Sequence, residues 1–279
     1  MNLIDNWDFR GAHPDPLLSA VVNQRGRNVY DGSSGYCLDR YWRSVNNHVF
    51  VHDGFITVVR SQAAAAFRQY IENGALLVGK QVTLSVVHRG LNTDGLHLNL
   101  VGLGMKQYPP SSDWLLTEIT GVIGEGAIWQ DRHLRVDLNH SISGIGVDGA
   151  SIDIMAWKLE LGPVSTLAND PPMDFGTELA KCQRFFQRIH ICNRISGIST
   201  NDVWVNVPLV IPMRIVPSIT SATTEIQVRT GTSTTIGRTD FTWQISTRSN
   251  NQIMLRAVRA NHGLTDANVT GSMDLDANL

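Results

Sequence analysis

The sequence lacks the segments that would carry a chain into or across a membrane. No stretch approaches the ~18 consecutive apolar residues of a membrane-spanning helix. The opening residues MNLIDNWDFRG carry acids where a signal peptide has a basic region, and no long apolar core follows them. We therefore expect a chain that is made in a cytoplasm, does not use the general secretory route and does not insert into a membrane.

Charge and cysteine are also scarce. Charged residues make up 17% of the 279 residues, lysine is rare, and the formal net charge is −2. This charge provides no field that would attract a nucleic acid, so we expect no nucleic-acid partner. Cys37, Cys182 and Cys192 form an odd number without metal-ligand spacing, which indicates reduced and mostly buried thiols.

Recognisable catalytic motifs are absent as well. The sequence contains no nucleophile elbow, zinc-protease motif, phosphate-binding loop or dinucleotide fingerprint. A glycosidase would need two carboxylates at a set separation across a sugar. The acids that lie close enough in sequence to be considered are Asp113, Glu118, Glu125, Asp131 and Asp137. Scattered acids more often lie on solvated turns, so we expect a protein that is not an enzyme.

The two-residue alternation of β-strands dominates the first half of the chain, and polar turns separate the strands. About eight such segments occur in residues 36–161, with no long helical period between them. One pair flanks Asp53-Gly54, a dipeptide typical of tight hairpin turns. The last segment, ASIDIMAWKLELG, is apolar on both faces, as in a strand buried on both sides. Residues 1–162 are therefore predicted to form a β-sandwich, with a jelly roll as its commonest version.

A proline-rich link and an amphipathic helix interrupt this pattern over residues 163–189. Asp174 is placed to cap the helix by accepting from the free N–H groups of its first turn. The apolar stripe of the helix repeats at three- and four-residue steps over about four turns. It consists of Leu179, Cys182, Phe185, Phe186 and Ile189. Such a stripe must pack either on its own domain or against another subunit, and both alternatives remain open.

Strand patterning returns after the helix. Segments such as VWVNVPLVI and NQIMLRAV follow one another at intervals of about ten residues. Residues 190–279 are therefore predicted to form a smaller, antiparallel β-domain. The fold class that we expect is mainly β, with an N-terminal jelly-roll β-sandwich, a short connecting α-helix and this C-terminal domain.

Aromatic residues beside polar residues near strand ends indicate a sugar-binding site. The C–H groups of a pyranose ring stack on aromatic faces, and its hydroxyls bond to neighbouring polar side chains. The candidate carbohydrate-binding residues are Tyr36, Tyr41, Trp42, Arg43, Trp114, Trp129 and Arg132. The alternative for each tryptophan is a core position, which we expect for Trp157.

Structural calcium is the metal that the sequence allows. β-Sandwich sugar-binding modules often hold Ca²⁺ where the N-terminal segment meets the last strand. Asp153 lies in that strand, and Asp5 and Asp8 could supply further hard oxygen ligands. The alternative is that Asp153 accepts ordinary hydrogen bonds. No other cofactor is expected.

The order of several segments resembles bacteriophage and prophage tail-fibre or receptor-binding proteins. These segments are NLIDNWDF, VVNQRG, YCLDRYW, the stretch Glu160–Phe186 and the closing GSMDLDANL. The resemblance extends over essentially the whole chain, and Glu160–Phe186 is its most specific part. Asn278 departs from the glutamate that is more usual near the end of such chains.

This resemblance implies a sandwich like a carbohydrate-binding module, a connecting helix and a C-terminal tail-fibre domain. It also implies a virion protein of the tail that assembles as a homotrimer, contacts other phage tail proteins and adheres to host cell-surface polysaccharide. Leu179, Phe185, Phe186 and Ile189 would then form the subunit interface around a threefold axis. The alternatives are a purely structural tail, collar or baseplate component, a cellular carbohydrate-binding module and a glycan depolymerase.

Overall fold

The computed structural model describes a chain whose contacts divide it into two compact units, residues 1–178 and 179–279. The described residues are 2–60, 66–90, 96–100, 104–129, 133–139, 150–196, 201–221, 227–229, 235–236, 242–258 and 266–277. Among them, no helix is both long and apolar enough to cross a membrane. The mainly β class that the sequence predicts is confirmed in both units.

The first unit is a sandwich of two antiparallel sheets. Its strands are β1 (Val29–Tyr30), β2 (Gly35–Tyr36), β3 (Tyr41–Arg43), β4 (Asn47–Val51), β5 (Ile56–Arg60), β6 (Phe67–Ile71), β7 (Gln81–Gly90), β8 (Leu96–Leu100), β9 (Gly104–Tyr108), β10 (Ser111–Val122), β11 (Ile128–Trp129), β12 (His133–Asn139) and β13 (Ser151–Leu161). Sheet A has the strand order β1-β4-β5-β13-β7-β10, and sheet B has the order β2-β3-β6-β12-β8-β9, with β11 beside β12. The finer jelly-roll assignment remains a prediction.

The two sheets enclose one core, because each strand turns alternate apolar side chains towards the other sheet. Trp157 of sheet A is fully buried and stacks on Tyr41 and Phe67 of sheet B, with ring centroids 5.4 and 6.1 Å apart. The core position predicted for Trp157 is therefore confirmed. The predicted hairpin is also present: β4 pairs with β5, and Gly54 between them has a φ of +82°, which glycine adopts without steric cost.

Strand β13 has apolar residues at both even and odd positions because its alternation is interrupted by a bulge. A β-bulge shifts the register between β13 and β7 at Ile154/Ala156. Because a bulge inserts one extra residue, it moves the following side chains to the opposite face. Ile152 and Ile154 before the bulge and Trp157 and Leu159 after it therefore all lie in the same core. Residues 156–160 are nevertheless all buried, so the predicted burial of β13 on both sides is confirmed there, although Lys158 and Glu160 occupy its outer face in place of apolar side chains.

The N-terminal segment extends sheet A beside β13. Leu3 donates to the Leu159 carbonyl at 2.8 Å, and Trp157 donates to the Trp7 carbonyl at 3.1 Å. The side chain of Asn2 also accepts from the Leu159 amide at 3.1 Å. Strand β5 pairs with β13 only as far as Ile154, so the N-terminal segment supplies hydrogen bonds to the part of β13 that β5 leaves open.

The link after β13 runs back over the outer face of sheet A, the face turned away from the core. Thr83 donates to the Gly162 carbonyl, and Ser165 donates to the Ser85 hydroxyl, both at 2.8 Å. Lys158, which is 2% exposed, pairs with Asp170 at 2.6 Å. The link therefore belongs to the sandwich, and it covers the half of this face that contains Thr83, Ser85 and Lys158.

Helix α1 (Phe175–Gln183) is shorter than the sequence predicts. Asp174 does cap it, because its carboxylate accepts from the Thr177 amide at 2.8 Å. Hydrogen bonds from the Thr177 side chain and, to a smaller extent, from this amide lower the pKa of Asp174. The helix ends before Phe186, however, and residues from Phe186 onwards form a strand. The apolar spacing that suggests a helix of four turns therefore extends over two elements, first a helix and then a strand.

The side chains of the predicted stripe are mostly buried in their own chain. Phe185 lies beneath the guanidinium groups of Arg184 and Arg214, whose Cζ atoms are 5.8 and 5.7 Å from its ring centroid. Phe186 is 3% exposed, and Ile189 belongs to the core of the second unit. Three of the four residues predicted as a subunit interface are therefore core residues, which corrects that prediction, and Leu179 is half-buried.

The second unit contains two further antiparallel sheets around a separate core. Its strands are β14 (Phe186–Ser196), β15 (Asp202–Pro208), β16 (Ser218–Ser221), β17 (Gln227–Arg229), β18 (Thr235–Ile236), β19 (Thr242–Arg248), β20 (Gln252–Val258) and β21 (Asp266–Asp276). One sheet has the order β14-β21-β17-β18, with β16 beside β21, and the other has the order β15-β20-β19. The β-structure begins at Phe186, earlier than the predicted boundary at residue 190.

Candidate functional site

The candidate sugar-binding residues do not form one cluster. Trp42 lies on the outer face of sheet B, in β3, and Trp114 lies in β10 of sheet A. Tyr36, in β2, is half-buried under the guanidinium of Arg25, which lies 5.9 Å from its ring centroid. Trp129 pairs with His133 through the backbone, but its side chain and the whole of Arg132 lie outside the described residues.

Tyr41 is a core residue and is not available to a ligand. Its ring is fully buried and stacks on Phe67 at 5.0 Å. Its hydroxyl donates to the Asn6 carbonyl at 3.0 Å and accepts from the indole N–H of Trp157. The tyrosine thus ties the N-terminal segment to both sheets, and the prediction that it binds carbohydrate is wrong.

Arg43 is a buried residue whose guanidinium forms hydrogen bonds within the protein. It is 4% exposed, and its guanidinium donates to backbone carbonyls on both sides of β3. On one side are the carbonyls of Asp31 and Ser33, and on the other is that of Asn47 at 2.7 Å. Burial lowers the pKa of this guanidinium. The prediction that Arg43 binds a sugar is therefore also wrong, because its donors are occupied within the protein.

A polar and aromatic cluster occupies the outer face of sheet B around Trp42. We call it the sheet B cluster, and it consists of Trp42, Arg68, Tyr70, Arg135 and Asp137. The strand register places Trp42, Arg68 and Asp137 in one row across β3, β6 and β12. Tyr70 and Arg135 are paired in the adjacent row. All five lie on the face opposite the core, since their neighbours Phe67, Val136 and Leu138 point inward.

Arg68 connects the members of this cluster. Its Cζ lies 4.6 Å from the Trp42 ring centroid, which is the geometry of a cation–π contact. Its Nε is 3.1 Å from the Asp137 carboxylate, and its terminal nitrogen donates to the Tyr70 hydroxyl at 3.4 Å. These contacts place the indole, the phenol and the carboxylate around the one guanidinium of Arg68.

Asp137 is the most buried charge of the cluster. Its side chain is 3% exposed and is 3.1 Å from the guanidinium of Arg135 as well as from that of Arg68. Burial raises the pKa of Asp137, and the two arginine charges oppose that change. The side chains of Arg68 and Arg135 are 17% and 20% exposed, so the cluster presents guanidinium N–H donors to solvent above a buried acceptor.

Sequence reasoning found only part of this cluster. Residues 62–73, QAAAAFRQYIEN, contain four alanines that favour a helix by propensity although strands flank them, and this ambiguity conceals the shared strand face of Arg68 and Tyr70. Residues 67–71 form a strand, and residues 61–65 lie outside the described part. Arg135 and Asp137 alternate with Leu134, Val136 and Leu138 in HLRVDLN. That alternation is the signal that could have placed both side chains on one outer face.

The acids considered for a glycosidase lie apart. Asp113 and Glu118 are exposed on β10 of sheet A, and Asp137 is on the outer face of sheet B. Glu125 is exposed in a short 3₁₀ helix, and Asp131 lies outside the described residues. The described acids of this set are therefore distributed over β10, a 3₁₀ helix and the outer face of sheet B.

The three candidate calcium ligands are engaged by arginines, and Asp8 pairs with Arg10 at 2.7 Å. Asp5 pairs with Arg40 at 3.0 Å beside sheet B. Asp153 pairs with Arg89 at 2.8 Å and accepts from Thr57 at 2.7 Å on the outer face of sheet A. Within the described ranges, no three His, Cys, Asp or Glu side chains are grouped so that they could hold a metal ion. Structural calcium therefore remains a prediction.

Comparison with known proteins identifies distant structural neighbours. No family model and no curated protein matches the chain. The tandem CBM22 domains of Xyn10C from Paenibacillus barcinonensis match at 9% identity, over 85% of this chain and 93% of that one, with a TM-score of 0.33. The enzymatically active domain of tailspike protein 4 from bacteriophage CBA120 matches at 13% identity, over 57% and 21%, with a TM-score of 0.33.

A third neighbour is a cyclase from Fischerella sp. TAU, which matches at 19% identity with a TM-score of 0.30. The match covers 40% of this chain and 65% of the cyclase. All three TM-scores are too low to support a functional assignment. The function must therefore be inferred from the residues of this chain.

Proposed function

We propose that this chain binds a polysaccharide of a host cell surface through the sheet B cluster, without cleaving it, as a receptor-binding subunit of a phage tail fibre. The observation that carries the binding role is the Trp42–Arg68–Asp137 row, with Tyr70 and Arg135 beside it. Each part of the row matches one need of a pyranose ligand: the aromatic rings offer surfaces for C–H groups, and the guanidinium groups donate to hydroxyl oxygens.

The proposed site is pre-organised, which favours binding of a flexible polysaccharide. Arg68 and Asp137 are already fixed by their mutual contact and by the cation–π contact with Trp42, so little side-chain entropy is lost when a ligand arrives. Each sugar contact is weak, and we expect overall adhesion to depend on several copies that engage one polysaccharide.

The absence of cleavage is part of the proposal, and the number of acids in the sheet B cluster supports it. Hydrolysis of a glycosidic bond needs an acid and a second carboxylate that acts as base or nucleophile. Asp137 is the one carboxylate that the described residues place in the sheet B cluster. Its contacts with two guanidinium groups suit a role in positioning donors better than a role in proton transfer.

The phage role rests on the sequence resemblance rather than on the site. The order of the segments NLIDNWDF, VVNQRG and YCLDRYW and of the stretch Glu160–Phe186 resembles that of tail-fibre and receptor-binding proteins. The homotrimer, the contacts with other tail proteins and the location on the virion are proposed on the same basis.

Replacement of Trp42 tests the binding role. The probe is a panel of purified bacterial capsular polysaccharides and lipopolysaccharide O-chains, immobilised and incubated with the whole chain. We expect at least one of them to bind, and we expect Trp42→Ala to weaken that binding by about tenfold or more, since it removes the aromatic platform. Trp42→Phe keeps an aromatic ring and is expected to retain most of the affinity.

A tryptophan in the second unit provides the matched control. Trp204 is 41% exposed, and the Arg256 guanidinium lies 5.2 Å from its ring centroid, so it reproduces the indole–arginine pair of Trp42 outside the sandwich. Trp204→Ala is expected to bind the polysaccharide like the unmodified chain. The binding role would be contradicted if no polysaccharide bound, or if Trp204→Ala weakened binding and Trp42→Ala did not.

A further inference from the structure

The outer face of sheet A has a second cluster at the end that the link does not cover. The link lies over Thr83, Ser85 and Lys158, and the strand register places Thr57, Asp153 and Arg89 in a row further along the same face. Aromatic rings flank this row. We call Phe55, Arg89, Trp114 and Asp153 the Arg89 cluster, and none of its members belongs to the sheet B cluster.

The guanidinium of Arg89 is held between two aromatic rings. Its Cζ lies 4.5 Å from the ring centroid of Trp114 and 5.1 Å from that of Phe55. These two rings contact each other edge to face, with centroids 5.8 Å apart. His52 stacks on Phe55 at 4.8 Å, at the hairpin turn between β4 and β5. Contacts of this kind restrict the rotation of a long arginine side chain and leave its planar group in a fixed position.

The hydrogen bonds of Arg89 leave part of its fork available. Its Nε donates to one oxygen of Asp153 at 2.8 Å, and the other oxygen of Asp153 accepts from Thr57 at 2.7 Å. Among the described residues, Asp153 is the one acceptor to which Arg89 donates. A guanidinium has five N–H groups, so the terminal nitrogens retain donors. The Arg89 side chain is 35% exposed, which lets solvent or a ligand reach those donors.

We propose that the Arg89 cluster is a second binding site of the sandwich, specific for a sugar that bears a carboxylate, such as a uronic acid. A fixed guanidinium fork binds a planar carboxylate through two parallel hydrogen bonds. Trp114 and Phe55 provide the apolar surface that the C–H groups of the attached ring require. The proposal takes its glycan class from the proposed function, but it does not depend on the sheet B cluster.

The charge of the cluster favours a carboxylate over a phosphate. The positive charge of Arg89 and the negative charge of Asp153 cancel, since the two side chains form an ion pair through the Nε of Arg89. A ligand with a single negative charge replaces water at the terminal nitrogens without bringing two charges close to Asp153. A phosphate group carries a larger negative charge, and the Asp153 carboxylate would repel it more strongly.

A matched pair of oligosaccharides tests the site. Trigalacturonic acid and its methyl ester have the same rings, but the ester has lost the charged carboxylates. Each is titrated into the whole chain while tryptophan fluorescence and the NMR signal of the arginine Nε–H groups are recorded. We expect the acid to bind and the ester to bind at least about tenfold more weakly, because the fork then meets no carboxylate.

Three variants locate the binding. Arg89→Lys keeps the charge but loses the fork, and it is expected to weaken binding of the acid by roughly tenfold. Trp114→Ala is expected to have an effect of similar size. Trp42→Ala, which alters the sheet B cluster, is expected to change binding of the acid by less than about twofold. Failure of the sheet B cluster as a glycan site would therefore leave this result intact.

Several results would overturn the proposal. They are the absence of saturable binding of the acid up to about 10 mM, equal binding of the acid and the ester, and unchanged binding by Arg89→Lys. Displacement of the acid by inorganic phosphate at equal concentration would assign the site to a different class of anion. If Trp42→Ala lost binding of trigalacturonic acid and Arg89→Lys retained it, the binding site would be assigned to the sheet B cluster.

Discussion

Replacement of Arg43 by methionine is expected to lower the free energy of unfolding of the sandwich by roughly 4 kcal/mol. The buried guanidinium donates to carbonyls of the turn before β2 and to the Asn47 carbonyl at the start of β4. Methionine fills the space of the side-chain stem but cannot donate, so the buried Asn47 carbonyl and the two carbonyls of the turn lose this donor. Urea denaturation followed by tryptophan fluorescence measures the effect, since five of the seven tryptophans precede residue 178.

Arg27→Met is the matched control. Arg27 is exposed in the same N-terminal region, and its replacement removes the same charge and adds the same side chain. We expect it to change the free energy of unfolding by less than about 0.5 kcal/mol. Equal effects of the two substitutions would show that Arg43 stabilises the fold through its charge alone, which contradicts the structural role assigned to it.

Acid is expected to destabilise the sandwich through His88. This side chain is 2% exposed in β7, and its Nε2 has no hydrogen-bond partner among the described residues. Burial lowers the pKa of His88 from 6.5 to about 4. Above pH 6.5 the imidazole is neutral in both the folded and the unfolded chain. As the pH falls from there towards 4, only the unfolded chain binds the proton, so unfolding becomes more favourable.

The size of this effect follows from the difference between the two pKa values. A difference of about 2.5 units corresponds to about 3 kcal/mol of stability lost between neutral pH and pH 4. His88→Phe cannot titrate, and the same denaturation measurements at a series of pH values isolate the contribution of His88 as the difference between the two curves. Carboxylates that titrate between neutral pH and pH 4 change the free energy of unfolding of the unmodified chain and of His88→Phe by equal amounts, so they cancel in the difference.

Two parallel curves would contradict the assignment, since they would mean that His88 takes up a proton as easily in the folded chain as in the unfolded one. His88→Leu serves as a second replacement, because phenylalanine could alter the packing near Tyr108, whose ring centroid is 6.4 Å from that of His88. The two variants differ in absolute stability, but both are expected to lose the extra acid sensitivity.

The architecture of the chain could be predicted from the sequence because strand alternation is a local property. The hairpin at Asp53-Gly54, the helix cap at Asp174 and the core position of Trp157 all follow from residue type and spacing, and the structure contains all three. The order of sandwich, short helix and second β-unit could be read in the same way.

The sequence-based prediction was wrong where one hydrophobic pattern extends over a helix end or a β-bulge. Leu179, Phe185 and Ile189 are spaced as on one helix, but α1 ends at Gln183, and Ile189 is on a strand. In strand β13, Ile152 and Trp157 face the same core because a β-bulge between Ile154 and Ala156 reverses the alternation. Neither change alters the hydrophobic pattern of the sequence, so periodicity alone could not detect it.

The candidate site was harder to predict than the fold. Tyr41 and Trp42 are adjacent aromatic residues, and the pleat sends the first into the core and the second to the outer face. Arg43 resembles a ligand-binding arginine in sequence, but its donors are satisfied by carbonyls of a distant turn. The partners of Trp42 come from β6 and β12, so only the pairing of strands reveals that they are neighbours.

The central claim is that the sandwich binds a surface polysaccharide and leaves it intact. The most direct measurement incubates the whole chain with a polysaccharide that it binds in the panel and records two quantities for the same sample. These are the bound fraction, by co-sedimentation, and the chain length of the polysaccharide, by size-exclusion chromatography. We predict saturable binding with an unchanged chain length. Progressive shortening of the polysaccharide, or no binding to any member of the panel, would contradict the account.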